Sequence, residues 1–129
     1  VIGNLTEDAR NAPSGTNAQL RIVGDGARRA PHIVNVLFPG LTGESLVAAL
    51  DLEGIAVSAG SACAAGASEP SHVLLAMGWS RTAAASALRA SFGWASTAAD
   101  VDGILAALLP IVTRARSRVQ EATWPAHAW

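Results

Sequence analysis

Residues Ile33 to Phe38, IVNVLF, are β-branched and almost wholly apolar, with Pro31 ahead of them and Pro39–Gly40 behind. A run too short for a helix and closed by breakers reads as a central strand buried on both faces. Whatever else the chain forms must cover that strand. Half of the 129 residues are hydrophobic, which is enough for one domain with a real core but too short a chain for two comfortable ones.

The flanking patterns supply the cover. Leu20 to Val23 reads as a short strand, followed by a turn through Gly24–Asp25–Gly26. Thr42 can cap a helix running to about Leu52, with Leu46, Val47 and Leu50 on its inner side and Gly54 at its end. Ile55 to Ser58 reads as another short strand. Pro70 and Ser71 open a short helix, SHVLLAM, that Gly78 closes. From Ala87 to Phe92, the core-facing Leu88, Ala90 and Phe92 alternate with Arg89 and Ser91. Thr97 and Asp100 make a capping-box start to a last helix, in which Val101, Ile104, Leu105, Leu108 and Val112 keep helical spacing. Pro110 is expected to kink or split it. The order β-β-α-β-loop-α-β-α predicts a two-layer α+β domain over residues 20–121, with helices packed on one side of a sheet. Residues 1–19 are polar and broken by Pro13, Ser14 and Gly15, so they read as a lead-in, and 122–129 as a short tail.

Several function classes fall away on composition. The formal charge is −1 and every cation is an arginine. Arg114, Arg116 and Arg118 lie near the end of the last helix, where cations offset the negative end of its dipole and solvate its outer face. Nothing in this distribution is a nucleic-acid footprint. No apolar run approaches the roughly 20 residues that cross a bilayer, and VIGNLTEDAR has neither the basic nor the apolar part of a signal peptide. The sequence thus reads as a soluble globular domain. Residue 1 is Val and the only methionine is Met77, so a processed chain or a piece of a longer protein is expected. One cysteine excludes an internal disulfide and fits a reducing compartment, most simply the cytoplasm. The chain holds no lysine, so it cannot alone complete chemistry that needs a lysine Schiff base.

Cys63 stands in the middle of SAGSACAAGASE, residues 58 to 69. Side chains this small bury little, and Gly60 and Gly66 add backbone freedom, so an exposed, movable loop is expected. A reactive thiol needs such access, although no cationic neighbour within the loop explains a lowered pKa. A reactive thiol and an incidental one both remain open. Arg89 sits mid-strand on the non-core face, where its fork suits a substrate carboxylate. A surface salt bridge is the commoner fate of such an arginine. His72 begins a helix beside Ser71 and reads more readily as a partly buried or capping histidine than as a general base. One cysteine and three scattered histidines give no metal-ligand spacing, and neither GxGxxG nor GxxxxGK is present.

Taken together, GIAVSAGSACAAGASEPSHVLLAMG from Gly54 to Gly78, HIVNVLFPGLTGESLVAAL upstream, and ALRASFG with STAADVD downstream form a specific combination. It resembles the C-terminal small domain of cysteine desulfurases of the NifS/IscS type, within the class V aminotransferases, over about residues 31 to 112. The resemblance implies a pyridoxal-phosphate enzyme of fold type I, with a mostly antiparallel small-domain sheet. Such an enzyme takes sulfur from L-cysteine as a persulfide on its own cysteine and releases L-alanine. Cys63 matches that nucleophile and Arg89 the arginine that holds the substrate carboxylate. The resemblance further implies a missing large domain that binds the cofactor, a homodimer, and a sulfur acceptor such as an iron-sulfur scaffold. The sulfur would serve cluster assembly or tRNA thiolation. Ala59, Ala64 and Ala65 replace hydroxyl residues common in that family, and Trp94 stands where a basic residue is usual. ATWPAHAW does not match the tail with which many relatives grip a scaffold.

Two alternatives follow from the same residues. One is a carrier domain that relays persulfide on Cys63 without pyridoxal phosphate. The other is a non-catalytic interaction module derived from the family.

Overall fold

The computed structural model describes residues 20–60 and 69–121, apart from the side chains of 120 and 121. The lead-in 1–19, the tail 122–129 and most of the small-residue loop, Cys63 included, lie outside the described residues.

The apolar run forms strand β2 (Ile33–Leu37), the middle strand of a three-stranded antiparallel sheet. The two-residue β1 (Arg21–Ile22) lies on one side and β3 (Ala87–Ser91) on the other. In register, Val36 faces Leu88, Asn35 faces Arg89 and Leu37 faces Ala87. Opposed residues of an antiparallel pair share a sheet face, so this register sorts the side chains. Val36 and Leu88 go to one face, and Asn35, Arg89, Leu37 and Ala87 to the other.

The first face carries the main core. Helix α1 (Gly43–Leu52) and helix α4 (Ala98–Glu121) pack there, and Leu46, Leu50, Ile111 and Val112 join Phe38, Leu41 and Leu88 in one buried cluster. Thr42 caps α1 by accepting from the Ser45 amide at 3.3 Å. At the other end the Ile55 amide donates to the Leu50 carbonyl and the Gly54 amide to that of Asp51, both at 2.9 Å. That is a Schellman ending, and the left-handed φ of +76° at Gly54 is what it requires. Ile55 then packs against the core.

The short helices α2 (His72–Ala76) and α3 (Arg81–Ala85) cover only one end of the second face. Leu74 and Ala84 close there over Leu37 and Ala87 in a smaller buried cluster. Strand β2 is therefore not sealed on both faces along its length. Val34 and Leu37 are buried, but Ile33, Asn35 and Val36 are only partly so. Two layers, an antiparallel sheet and helices chiefly on one side make this the expected α+β domain.

Four local expectations need correction. Ile55 to Ser58 is not a strand, and only Ser58 makes a bridge, to Arg89. Ile55 and Val57 pack their side chains against the core instead, so apolar burial together with the single bridge at Ser58 holds the segment. Helix α3 was not anticipated, because RTAAA is too short to show a period. Its start is marked only by Ser80, which accepts from the Ala83 amide at 3.1 Å. Helix α4 runs unbroken through Pro110. The missing donor would leave the Ala106 carbonyl without its helical partner, and both residues lie on the exposed side of the helix. Of the three clustered arginines, Arg114 and Arg118 are exposed as expected. Arg116 is half-buried, and that burial lowers the pKa of its guanidinium. No helix among the described residues is long and apolar enough to cross a membrane.

Candidate active site

The exposed part of the second sheet face is built around β3. Leu88 turns inward to the main core, and strand alternation turns Arg89 the other way, where it is exposed. Beyond the covered end, Arg89 and Ser91 face outward from a rigid strand. Among the described residues, the Arg89 guanidinium makes neither an ion pair nor a hydrogen bond. The surface salt bridge weighed for it is thus absent from this set, and its five donors are open to an incoming acceptor.

On its other edge β3 meets the segment that leads into the small-residue loop. The Ser58 amide donates to the Arg89 carbonyl at 3.0 Å, and the Arg89 amide to the Ser58 carbonyl at 2.7 Å. Opposition across this bridge sets Asn35, Arg89 and Ser58 in one row on one face, spanning three neighbouring chain segments. Two residues after Ser58 the described chain stops at Gly60, and it resumes at Glu69. A Cβ added at Gly60 would stand 3.4 Å from the Glu69 carbonyl oxygen, so the loop leaves and returns at nearly the same point. The return is tied down in turn: Arg81 on α3 donates to Glu69 at 2.9 Å, and Ser71 caps α2 by accepting from the Leu74 amide at 3.5 Å. The exposed ion pair adds little stability, about 0–1 kcal/mol, but it marks where the loop rejoins the fold.

His72 is exposed at the first turn of α2, and the capping oxygen belongs to Ser71. Neither the partly buried nor the capping histidine is found. Asn35 was passed over in the sequence, although a lone amide inside IVNVLF is the kind of signal that marks it. Its Oδ1 is buried without a hydrogen-bond partner among the described residues.

This arrangement suits recognition of a carboxylate. A forked cation stands open on a rigid strand, and the segment carrying the chain's one thiol departs from the neighbouring backbone.

Comparison with known proteins identifies the family. Residues 15–104 match the model of the family described as aminotransferase class-V. A cysteine desulfurase of Cereibacter sphaeroides is 46% identical over 97 residues, covering 75% of this chain and 25% of the relative. An IscS-like cysteine desulfurase of Mycobacterium tuberculosis is 41% identical over 116 residues, covering 90% and 28%. The solved structure of a NifS-like protein from Rickettsia africae ESF-5 superposes with a TM-score of 0.71 at 25% identity, over 87% of this chain and 27% of that one. The chain thus spans about a quarter of the length of the curated relatives it matches.

Proposed function

The chain belongs to the aminotransferase class V family, and on that premise we propose that residues 20–121 are the C-terminal small domain of a NifS/IscS-type cysteine desulfurase. In this reading Arg89 grips the carboxylate of L-cysteine and Cys63 takes its sulfur. The Cys63 thiolate attacks the substrate sulfur. The S–S bond forms as the substrate C–S bond breaks, the electron pair returns to carbon, and protonation there yields L-alanine. Cys63 is left as a persulfide. One sulfur atom moves and no external oxidant is needed.

Pyridoxal phosphate does not fit the residues present here as a covalent guest. The chain has no lysine, so no side-chain amine can join the cofactor aldehyde. The cofactor belongs to a separate large domain, and this chain supplies the carboxylate grip and the sulfur acceptor. A cytoplasmic homodimer, an iron-sulfur scaffold as acceptor, and delivery to clusters or to tRNA thiolation rest on the family resemblance alone.

The observation that carries the reading is the pairing of Ser58 with Arg89. It ties Ser58, which precedes Cys63 in the chain, to the strand that presents an open guanidinium, and this supports a grip and an acceptor on neighbouring segments. In the complete enzyme, Cys63→Ser should abolish alanine release from L-cysteine while leaving the cofactor's absorption spectrum unchanged. Normal turnover by the serine variant would remove Cys63 from the mechanism and favour a non-catalytic module.

A further inference from the structure

Asn35 interrupts the apolar middle strand with an amide whose Oδ1 is buried and, among the described residues, unpartnered. A buried acceptor without a donor costs free energy and is retained where something uses it. Its direct register partner is Arg89, on the same face of the same sheet. Opposed Cβ atoms in such a pair stand about 5 Å apart, well within the reach of an arginine. Arg89 brings five donors, accepts nothing, and has no other partner among the described residues. An acceptor lacking a donor thus faces a donor lacking an acceptor.

We propose that Asn35 is a positioning residue for Arg89. Its Oδ1 accepts a hydrogen bond from the guanidinium, folds the side chain down over the sheet, and leaves the remaining donors aimed at a carboxylate. The proposal rests on the carboxylate-gripping role of Arg89. It gives the amide a task the core has no use for. An arginine held at one nitrogen loses less rotamer freedom when the ligand arrives, so the ligand binds more tightly.

The test uses the 129-residue chain and the side-chain NMR signals of Arg89 and Asn35, titrated with L-alanine as the carboxylate probe. The Arg89 Nε–H and Asn35 Nδ2 signals should move together. Asn35→Leu should weaken L-alanine binding about tenfold without lowering the melting temperature, because it removes an unsatisfied polar atom from a partly buried site. In the background of Arg89→Ala, the same change should cost nothing further. Asn35→Asp keeps the acceptor but adds a charge, so it should hold Arg89 more firmly and still weaken L-alanine binding. Should Asn35→Leu not fold, this aspartate variant carries the test. Unchanged L-alanine affinity in both Asn35 variants overturns the proposal. Should the wild-type chain not bind L-alanine, the carboxylate reading fails for the chain alone. The contact is then decided by whether Asn35→Leu shifts the Arg89 Nε–H signal, and a signal that stays in place overturns it.

Discussion

Arg89 joins the two halves of the account, because its backbone is core structure and its side chain is not. Its amide and carbonyl are bonded on one edge to Ser58, while the residue stands opposite Asn35 on the other. The guanidinium is exposed. Removing the side chain should therefore spare the fold and damage binding. Hydrogen bonds to charged groups contribute about 1.5–3 kcal/mol, so Arg89→Ala in the complete enzyme should lower kcat/KM for L-cysteine by roughly tenfold or more. Arg89→Lys keeps the charge but loses the fork, and should fall between. Melting temperatures should match the wild type in both. An unchanged kcat/KM would make Arg89 a surface cation only. Much of this was legible in the sequence, since LRASF alternates over five residues and the alternation alone turns Arg89 outward. Asn35 was not legible as a site residue. Its meaning depends on register with a strand more than fifty positions away, and no local pattern encodes that.

At the scale of elements, local chemistry explains what could be read. Thr42, Ser71 and Thr97 each mark a helix start, because a hydroxyl facing an amide three residues on satisfies a donor the helix leaves free. Asp100 completes the last of these caps by accepting from the Thr97 amide at 2.6 Å. Hydrogen bonds from the Thr97 backbone and hydroxyl lower the Asp100 pKa. A carboxylate whose folded pKa is depressed contributes stability above its unfolded value and loses it as the pH falls through the folded one. Asp100→Ala should therefore melt below the wild type at neutral pH, and the gap should close once the pH is well under the usual carboxylate range. A gap that persists in acid would mean that the charge does not hold the cap. Segments that pair only across the fold were harder to read. Ile55–Ser58 has the composition of a strand but meets β3 at a single residue. RTAAA becomes a helix because Ala84 fits against Leu37, Leu74 and Ala87. Close packing also explains Gly43 at the start of α1, where an added Cβ would collide with the Ala87 carbonyl oxygen and stand 2.9 Å from the Ala59 Cβ. Backbone cannot swing aside as a side chain can. Gly43→Ala should destabilise the domain by about 1–3 kcal/mol, seen as a melting temperature lower by several degrees. A neutral result would mean that the helix shifts off β3 at no cost.

Among the described residues, one sheet face is sealed by helices and the other is covered at one end only. Helices α1 and α4 seal the first, while α2 and α3 close one end of the second and leave Arg89 open. Ser58 and Glu69, which flank the stretch holding Cys63 in the sequence, are bonded to β3 and α3. In the proposed reading, the open face lies against a large domain that holds the cofactor, since this chain has no lysine to hold it. The central claim is that sulfur from L-cysteine comes to rest on Cys63, and the direct measurement is to locate it. The complete enzyme is given L-cysteine carrying labelled sulfur, the remaining thiols are blocked, and the protein is digested and its peptides weighed. The account predicts one labelled sulfur on the peptide spanning Ser58 to Arg81, released by a thiol reductant and matched by one L-alanine. Label on any other peptide, or alanine released with Cys63 unmodified, would contradict it.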